Sequence, residues 1–264
     1  MVLPRNAWKR LYRQRDVLLL TMLAFVWPLL CAGFIYLTNH AELLQGLEEE
    51  FRQFIQVDGR FFAIFMYVQA GFAVFLAALA GPGLIAPDLA NNALPLYFSR
   101  PLTRWSYALG RLTALVGMLS VVTWIPGLVL FGLQVGLAGG SWFRANWTLG
   151  AGMVAGFLVW LLILSLVAMA SSAYVKWRVV AAAVSLAFFF ILSGVAAMID
   201  NVLRVTWGHI IDPAWAVNRV WCALLEVEPP AGPGVWTSAS ALAAMVLLLA
   251  LVIERKLRPV EVVR

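Results

Sequence analysis

The chain reads as an all-α, polytopic integral membrane protein with six transmembrane helices, and three observations predict this. Hydrophobic residues make up 63% of the 264 residues and charged residues only 12%, against about 25% charged in a soluble domain. The mean hydropathy is +0.88. Six runs, at 17–37, 61–80, 105–137, 147–173, 179–199 and 236–253, each reach the roughly 20 mostly apolar residues that a crossing helix needs. None alternates as a barrel strand does, and backbone N–H and C=O groups in hydrocarbon must be satisfied within their own segment, so each run is expected to be helical. Six spans leave no room for a soluble domain, and 1–264 is expected to be a single transmembrane domain.

The elements follow in order. In residues 1–16, Leu3, Ala7, Trp8, Leu11 and Tyr12 share one helical face, while Lys9, Arg10, Arg13 and Arg15 point toward the other. This predicts a basic amphipathic helix on the membrane surface, anchoring to anionic membrane lipid or touching a partner. The first span is longer than a signal h-region, and Leu30 precedes Cys31 where a lipoprotein signal has a small residue, so a retained helix is expected. After it, Leu43, Leu44, Leu47, Phe51, Phe54 and Ile55 recur at helical spacing with Glu48, Glu49 and Glu50 largely opposite, which predicts a helix on the outer surface.

The third run is too long for one straight crossing and holds Pro126 and Gly127, which predicts a kink, a tilt or a short helix before the true span. Gly132, Gly136 and Gly140, then Gly152 and Gly156, are spaced by four. Such spacing lets helices approach closely, within the chain or between two copies, and packing within the chain is the expected use. Between the last two spans, at 200–235, Trp207, Ile210, Ile211, Ala214, Trp215, Trp221, Cys222 and Leu225 predict short interfacial or re-entrant helices, either a gate over a substrate path or packing that closes the bundle.

Orientation follows from charge. Fourteen of the nineteen Lys and Arg residues fall in the two tails, the 81–104 connection with the start of the third span, and the turn near 176, which predicts that these face the cytoplasm of a cell's inner membrane. The isoelectric point near 9.7 is then a topology signal, and no nucleic-acid partner is expected.

The spans are poor in chemistry. Their polar residues are neutral, among them Gln69, Thr123, Gln134, Ser165 and Ser185, with Arg111 and Asp200 near span ends. Proton pumps and ion-driven carriers place ionisable groups at depth, so a proton-coupled mechanism is disfavoured. His40 and His209 are solitary, Cys31 and Cys222 read as buried or idle, and there is no Ser/His/Asp arrangement, His-Glu-x-x-His or Gly-Lys-Ser/Thr phosphate loop. No catalytic, metal or cofactor residue is expected, and energy for uphill transport must come from a partner.

The place for that partner is the stretch GPGLIAPDLANNALPLYFSRPLTRWSYALGRL, from Gly81 to Leu112. Pro82, Pro87, Pro95 and Pro101 break it into short pieces, while Leu89, Ala93, Leu94, Leu96, Tyr97 and Phe98 offer an apolar surface. With Asp88, Leu94, Ser99-Arg100-Pro101-Leu102-Thr103-Arg104 and Leu109-Gly110-Arg111, the stretch resembles the second-to-third connection of the ABC-2 type transporter permeases. Asn91 and Asn92 depart from the Gly and Thr common there, and Arg111 from the commoner Lys. The likeness extends to the six-span plan, the basic interfacial helix (Trp8, Lys9, Arg10, Leu11, Tyr12, Arg13) and the helical segment before the last span.

The resemblance implies the transmembrane permease subunit of an ATP-driven exporter, with no bound cofactor of its own. It would pair with a second permease copy, a homodimer being expected, and with two ABC ATPase subunits that bind the ATP. Residues 81–104 would form a cytoplasmic coupling helix in which Asp88, Leu94, Tyr97, Phe98, Arg100, Pro101 and Arg104 seat in the ATPase. The alternative from a different class is a non-transporting membrane anchor or scaffold for a cytoplasmic or periplasmic partner.

Overall fold

The computed structural model describes residues 14–40, 56–83, 104–175 and 177–257. It is all-α: α1 (Arg15–Asn39), α2 (Gly59–Ala80), α3 (Arg104–Val122), α4 (Trp124–Ala138), α5 (Gly140–Tyr174), α6 (Arg178–Leu203), a short 3-10 helix (Gly208–Ile211), α7 (Pro213–Leu224) and α8 (Val235–Leu257), with no strand among the described residues. Six helical segments are long and apolar enough to cross a membrane, the third being the joined pair Ala108–Ala138. The protein is therefore a multi-pass helical membrane protein. The expected spans agree with these helices to within a few residues, except that the fourth begins at Gly140 and not near 147.

α5 is the central pillar. Its most apolar window is 67% buried, against 17% for α8 and 22% for α1 and α6, which turn most of their apolar side chains outward. Phe157, Leu161, Ile163, Leu164 and Val167 of α5 meet Phe62, Phe65, Met66 and Leu76 of α2 and Leu115, Met118 and Leu119 of α3 in one continuous core.

Two prolines act differently. Pro28 lies inside α1 without ending it. Its missing N–H leaves the carbonyl of Ala24, four residues earlier, without a helical donor, and Gln69 Nε2 of α2 donates to that carbonyl at 3.0 Å. The bond staples α1 to α2 where both are fully buried. The third span, in contrast, breaks at Thr123, three residues ahead of Pro126. Thr123 has φ −109° and ψ −100°, and its N–H turns to Ser120 at 3.3 Å while its hydroxyl donates to Leu119 at 2.9 Å. Pro126 thus falls in the first turn of α4, where an absent N–H is harmless. Gly127 serves packing: a Cβ there would lie 2.5 Å from Met153 Sδ.

One end of the bundle gathers the start of α1, the end of α2, the α5–α6 turn and the end of α8. The Arg178 guanidinium donates to Gln14 Oε1 and to the Leu79 carbonyl in the last turn of α2. Tyr174 donates to the Val252 carbonyl at 3.3 Å, and Lys256 Nζ stands 5.2 Å from the Tyr174 ring. We call this the basic end. At the distal end Asn39 Nδ2 donates to Gln134 Oε1 at 2.8 Å, tying α1 to α4.

The α4–α5 hairpin extends past the start of α2 and the end of α7. Gly152 of α5 lies level with the Leu224 carbonyl, and Gly59, the first residue of α2, lies against Leu225. At 1.5 Å per residue the stretch from Gly140 to Gly152 therefore carries α5 about 18 Å further along its axis. Phe131 braces the hairpin, its ring centroid 5.5 Å from Trp142, 6.3 Å from Phe143 and 6.0 Å from Phe62.

Candidate functional site: a roofed apolar groove

α7 is built to start abruptly and to sink into the bundle. The Asp212 side chain accepts from the N–H groups of Ala214 at 2.9 Å and Trp215 at 3.3 Å, and Pro213 occupies the first turn, which suits its locked φ. Its buried residues are Pro213, Ala216, Val217, Trp221 and Cys222, a stripe at helical period. Two glycines of α5 make the seat. A Cβ on Gly152 would lie 2.6 Å from the Leu224 carbonyl oxygen, and one on Gly156 would lie 2.5 Å from Trp221 Cδ1. The Trp221 ring then packs 5.7 Å from Phe157 and 6.4 Å from Trp160.

Below this helix a groove of about 230 Å³ opens between α2 and α6. Ala70, Gly71 and Val74 of α2 form one wall, and Phe189 and Ser193 of α6 the other. Trp160 closes the back, held by a long 3.5 Å bond from its indole N–H to the Ala70 carbonyl and by an edge contact to Phe189 at 5.4 Å. Ala214, Val217 and Trp221 of α7 form the roof. Tyr67, Phe75 and Phe190 are about half exposed or more and frame a mouth that opens on the side of the bundle.

No lining residue is acidic or basic; the Ser193 hydroxyl, the Tyr67 phenol and the two indoles are the polar groups. Such a surface binds by taking apolar area out of water and offers no group to transfer a proton at physiological pH. The volume suits one ring system or a short length of chain, being below the roughly 300 Å³ at which drug-sized pockets begin.

The residues expected to couple to an ATPase, Asp88, Leu94, Tyr97, Phe98, Arg100 and Pro101, and those of the interfacial helix, Trp8, Lys9, Arg10, Leu11, Tyr12 and Arg13, lie outside the described residues. Arg104 opens α3. The end of α2, one flank of the 81–104 connection, emerges at the basic end beside Arg178. Arg111 is buried in α3, a few residues inside the third span.

Of the segment before the last span, Trp221, Cys222 and Leu225 are buried as a packed face requires, but Trp207, Ile211 and Ala214 are exposed. Ala216 and Val217, absent from that reading, complete the buried stripe; counting from Pro213 at helical period, not from Trp207, would have found them. The glycine rows divide. Gly152 and Gly156 do receive a neighbour within the chain, whereas a Cβ on Gly132, Gly136 or Gly140 would meet nothing within 4 Å among the described residues.

No protein-family model matches the chain, and no curated protein matches it.

Proposed function

We infer that this protein is the membrane subunit of an ATP-driven exporter of the ABC-2 permease kind, in which the α2–α6 groove is part of the substrate path and α7 its roof. The observation that carries the reading is the groove itself: an apolar recess that opens sideways, is covered on the distal side by a helix outside the six spans, and has no acid or base in its lining. A site of that kind can hold an apolar substrate but cannot harness a proton gradient through its own side chains. Work must then arrive mechanically, and the likeness of Asp88 to Arg111 to a permease coupling segment supplies the entry point at the end where the last turn of α2 meets Arg178 of α6. In this reading two copies of the chain face one another, separate ATPase subunits press on the basic end in the cytoplasm, and tilting of α2 against α6 changes the groove's access.

The test is co-purification of the full chain from its native membrane, followed by ATP-dependent uptake of apolar fluorophores into inside-out vesicles. A subunit with a phosphate-binding loop should remain bound. Replacing Tyr97 and Arg100 together by Ala should weaken that binding about tenfold or more while insertion is unchanged, since an apolar and a charged contact with the ATPase would both be removed. A chain that purifies without any ATPase and whose vesicles show no ATP-dependent uptake would instead support an anchor or scaffold role.

A further inference from the structure

We propose that Asp200, His209 and Trp215 form a latch that holds α7 down over the groove; this rests on reading α7 as the groove's roof. α6, which supplies one wall, ends in an unusual way. Arg204 takes a left-handed conformation, φ 50° and ψ 44°, and the N–H of Val205 folds back to the Asp200 carbonyl at 3.2 Å. The reversal returns the chain to the Asp200 side chain, whose Oδ1 accepts from the Gly208 N–H at 2.7 Å and whose Oδ2 accepts from His209 Nδ1.

Position 208 must be glycine for this closure, because a Cβ would lie 2.5 Å from Asp200 Oδ1 and 2.9 Å from the Ala196 carbonyl oxygen. The His209 ring in turn lies against Trp215 of α7, centroids 5.2 Å apart, and Gly232 also packs close to Trp215, where a Cβ would lie 2.6 Å from the ring. One carboxylate on a wall helix thereby reaches the roof helix through one imidazole.

The chemistry gives the contact its direction. A carboxylate is acceptor-only, so the His209 nitrogen facing it is the donor, and the bond holds the ring where it meets Trp215.

The other charged groups nearby have separate work or point outward. Asp212 caps α7, Arg219 of α7 donates to the Pro230 carbonyl at 2.5 Å, Arg204 is exposed, Glu226 and Glu228 are exposed in the α7–α8 connection, and α8 has no ionisable side chain from 235 to 253.

The roof reports on itself through Cys222, buried on α7. In full-length protein carrying Cys31→Ala, Cys222 is the only thiol, and its labelling by a membrane-impermeant maleimide measures lifting of α7 whether or not anything is transported. Failure of the latch is thus distinguishable from failure of the transport reading. Burial raises the Cys222 thiol above its ordinary pKa, with the Arg219 charge offsetting part of the rise, so rates are compared between variants at the same pH.

His209→Ala should label about tenfold faster than its parent at about pH 7, the effect of losing one partly buried hydrogen bond to a charged group. His209→Asn keeps a donor near the Nδ1 position and should label several-fold more slowly than His209→Ala at the same pH. Labelling of His209→Ala at the parent's rate overturns the latch, and equal labelling of the Asn and Ala variants overturns the part played by the bond to Asp200.

Discussion

The bond from Gln69 to Ala24 exists because of Pro28, and that dependence can be measured. If the missing N–H of Pro28 is what leaves the Ala24 carbonyl open to Gln69, then Gln69→Leu should cost more with Pro28 present than in a Pro28→Ala background, where the helix supplies its own donor. Gln69 Oε1 is buried without a partner among the described residues. Replacing Gln69 by Leu therefore both orphans a carbonyl and removes an orphan oxygen, and the single substitution is expected to be only mildly destabilising.

The informative quantity is the coupling between the two sites. Interhelical hydrogen bonds in membrane bundles are worth about 0.6 kcal/mol on average and up to about 1.7. This one sits near the upper value, because the Ala24 carbonyl has no water to turn to at 0% exposure of Ala24 and Gln69. We expect Gln69→Leu to be less favourable by about 1–1.7 kcal/mol when position 28 is Pro, and to be neutral or stabilising when it is Ala. Reversible unfolding of the four proteins in mixed micelles measures the cycle. An equal effect of Gln69→Leu in both backgrounds would refute the claim that Pro28 creates the acceptor.

Three further expectations are independent of that cycle. Gly156→Val should destabilise the protein by about 1–3 kcal/mol through its clash with Trp221, whereas Gly136→Ala, whose Cβ meets open space, should be neutral or gain up to about 1 kcal/mol of helix propensity; thermal melting in detergent separates the two. Topology reporters fused after Arg264 and within 175–178 should read cytoplasmic and those at Glu49 and Glu228 external, and a cytoplasmic signal at Glu49 would reverse the orientation drawn from the charges. The purified chain alone should hydrolyse no ATP, as measured by phosphate release, because the sequence contains no phosphate-cradling loop; turnover by the lone chain would refute the assignment of the ATPase to another subunit.

The helices were legible in the sequence because hydrocarbon imposes length and composition directly, and the described spans follow the apolar runs closely. The break in the third span was legible in kind but displaced, since Pro126 marks where a donor is missing while the chain yields at Thr123, whose hydroxyl can take over a carbonyl. The groove was not legible. In a lipid-facing helix the same Phe, Val and Leu serve for contact with lipid and for lining a recess, so nothing local distinguishes Phe189 from Phe188. The Gln69 staple and the His209 latch join residues that no periodicity connects; each becomes visible only when the fold brings a donor to an acceptor left open by a proline or by a reversed helix end.

The raised α4–α5 hairpin bears on how the protein meets bilayers of different thickness. α2, with 22 residues, is about 33 Å long and matches a hydrocarbon layer of about 30 Å, while α5, with 35 residues, extends about 52 Å. Leu137, Phe143 and Trp147 near the hairpin's crest are exposed apolar side chains that lipid can wet as readily as an interface can. A thicker membrane can therefore rise along the hairpin without exposing polar backbone. Lipid can thus stand higher beside the α4–α5 hairpin than beside the start of α2, so the protein meets the two sides of its bundle with different hydrophobic heights.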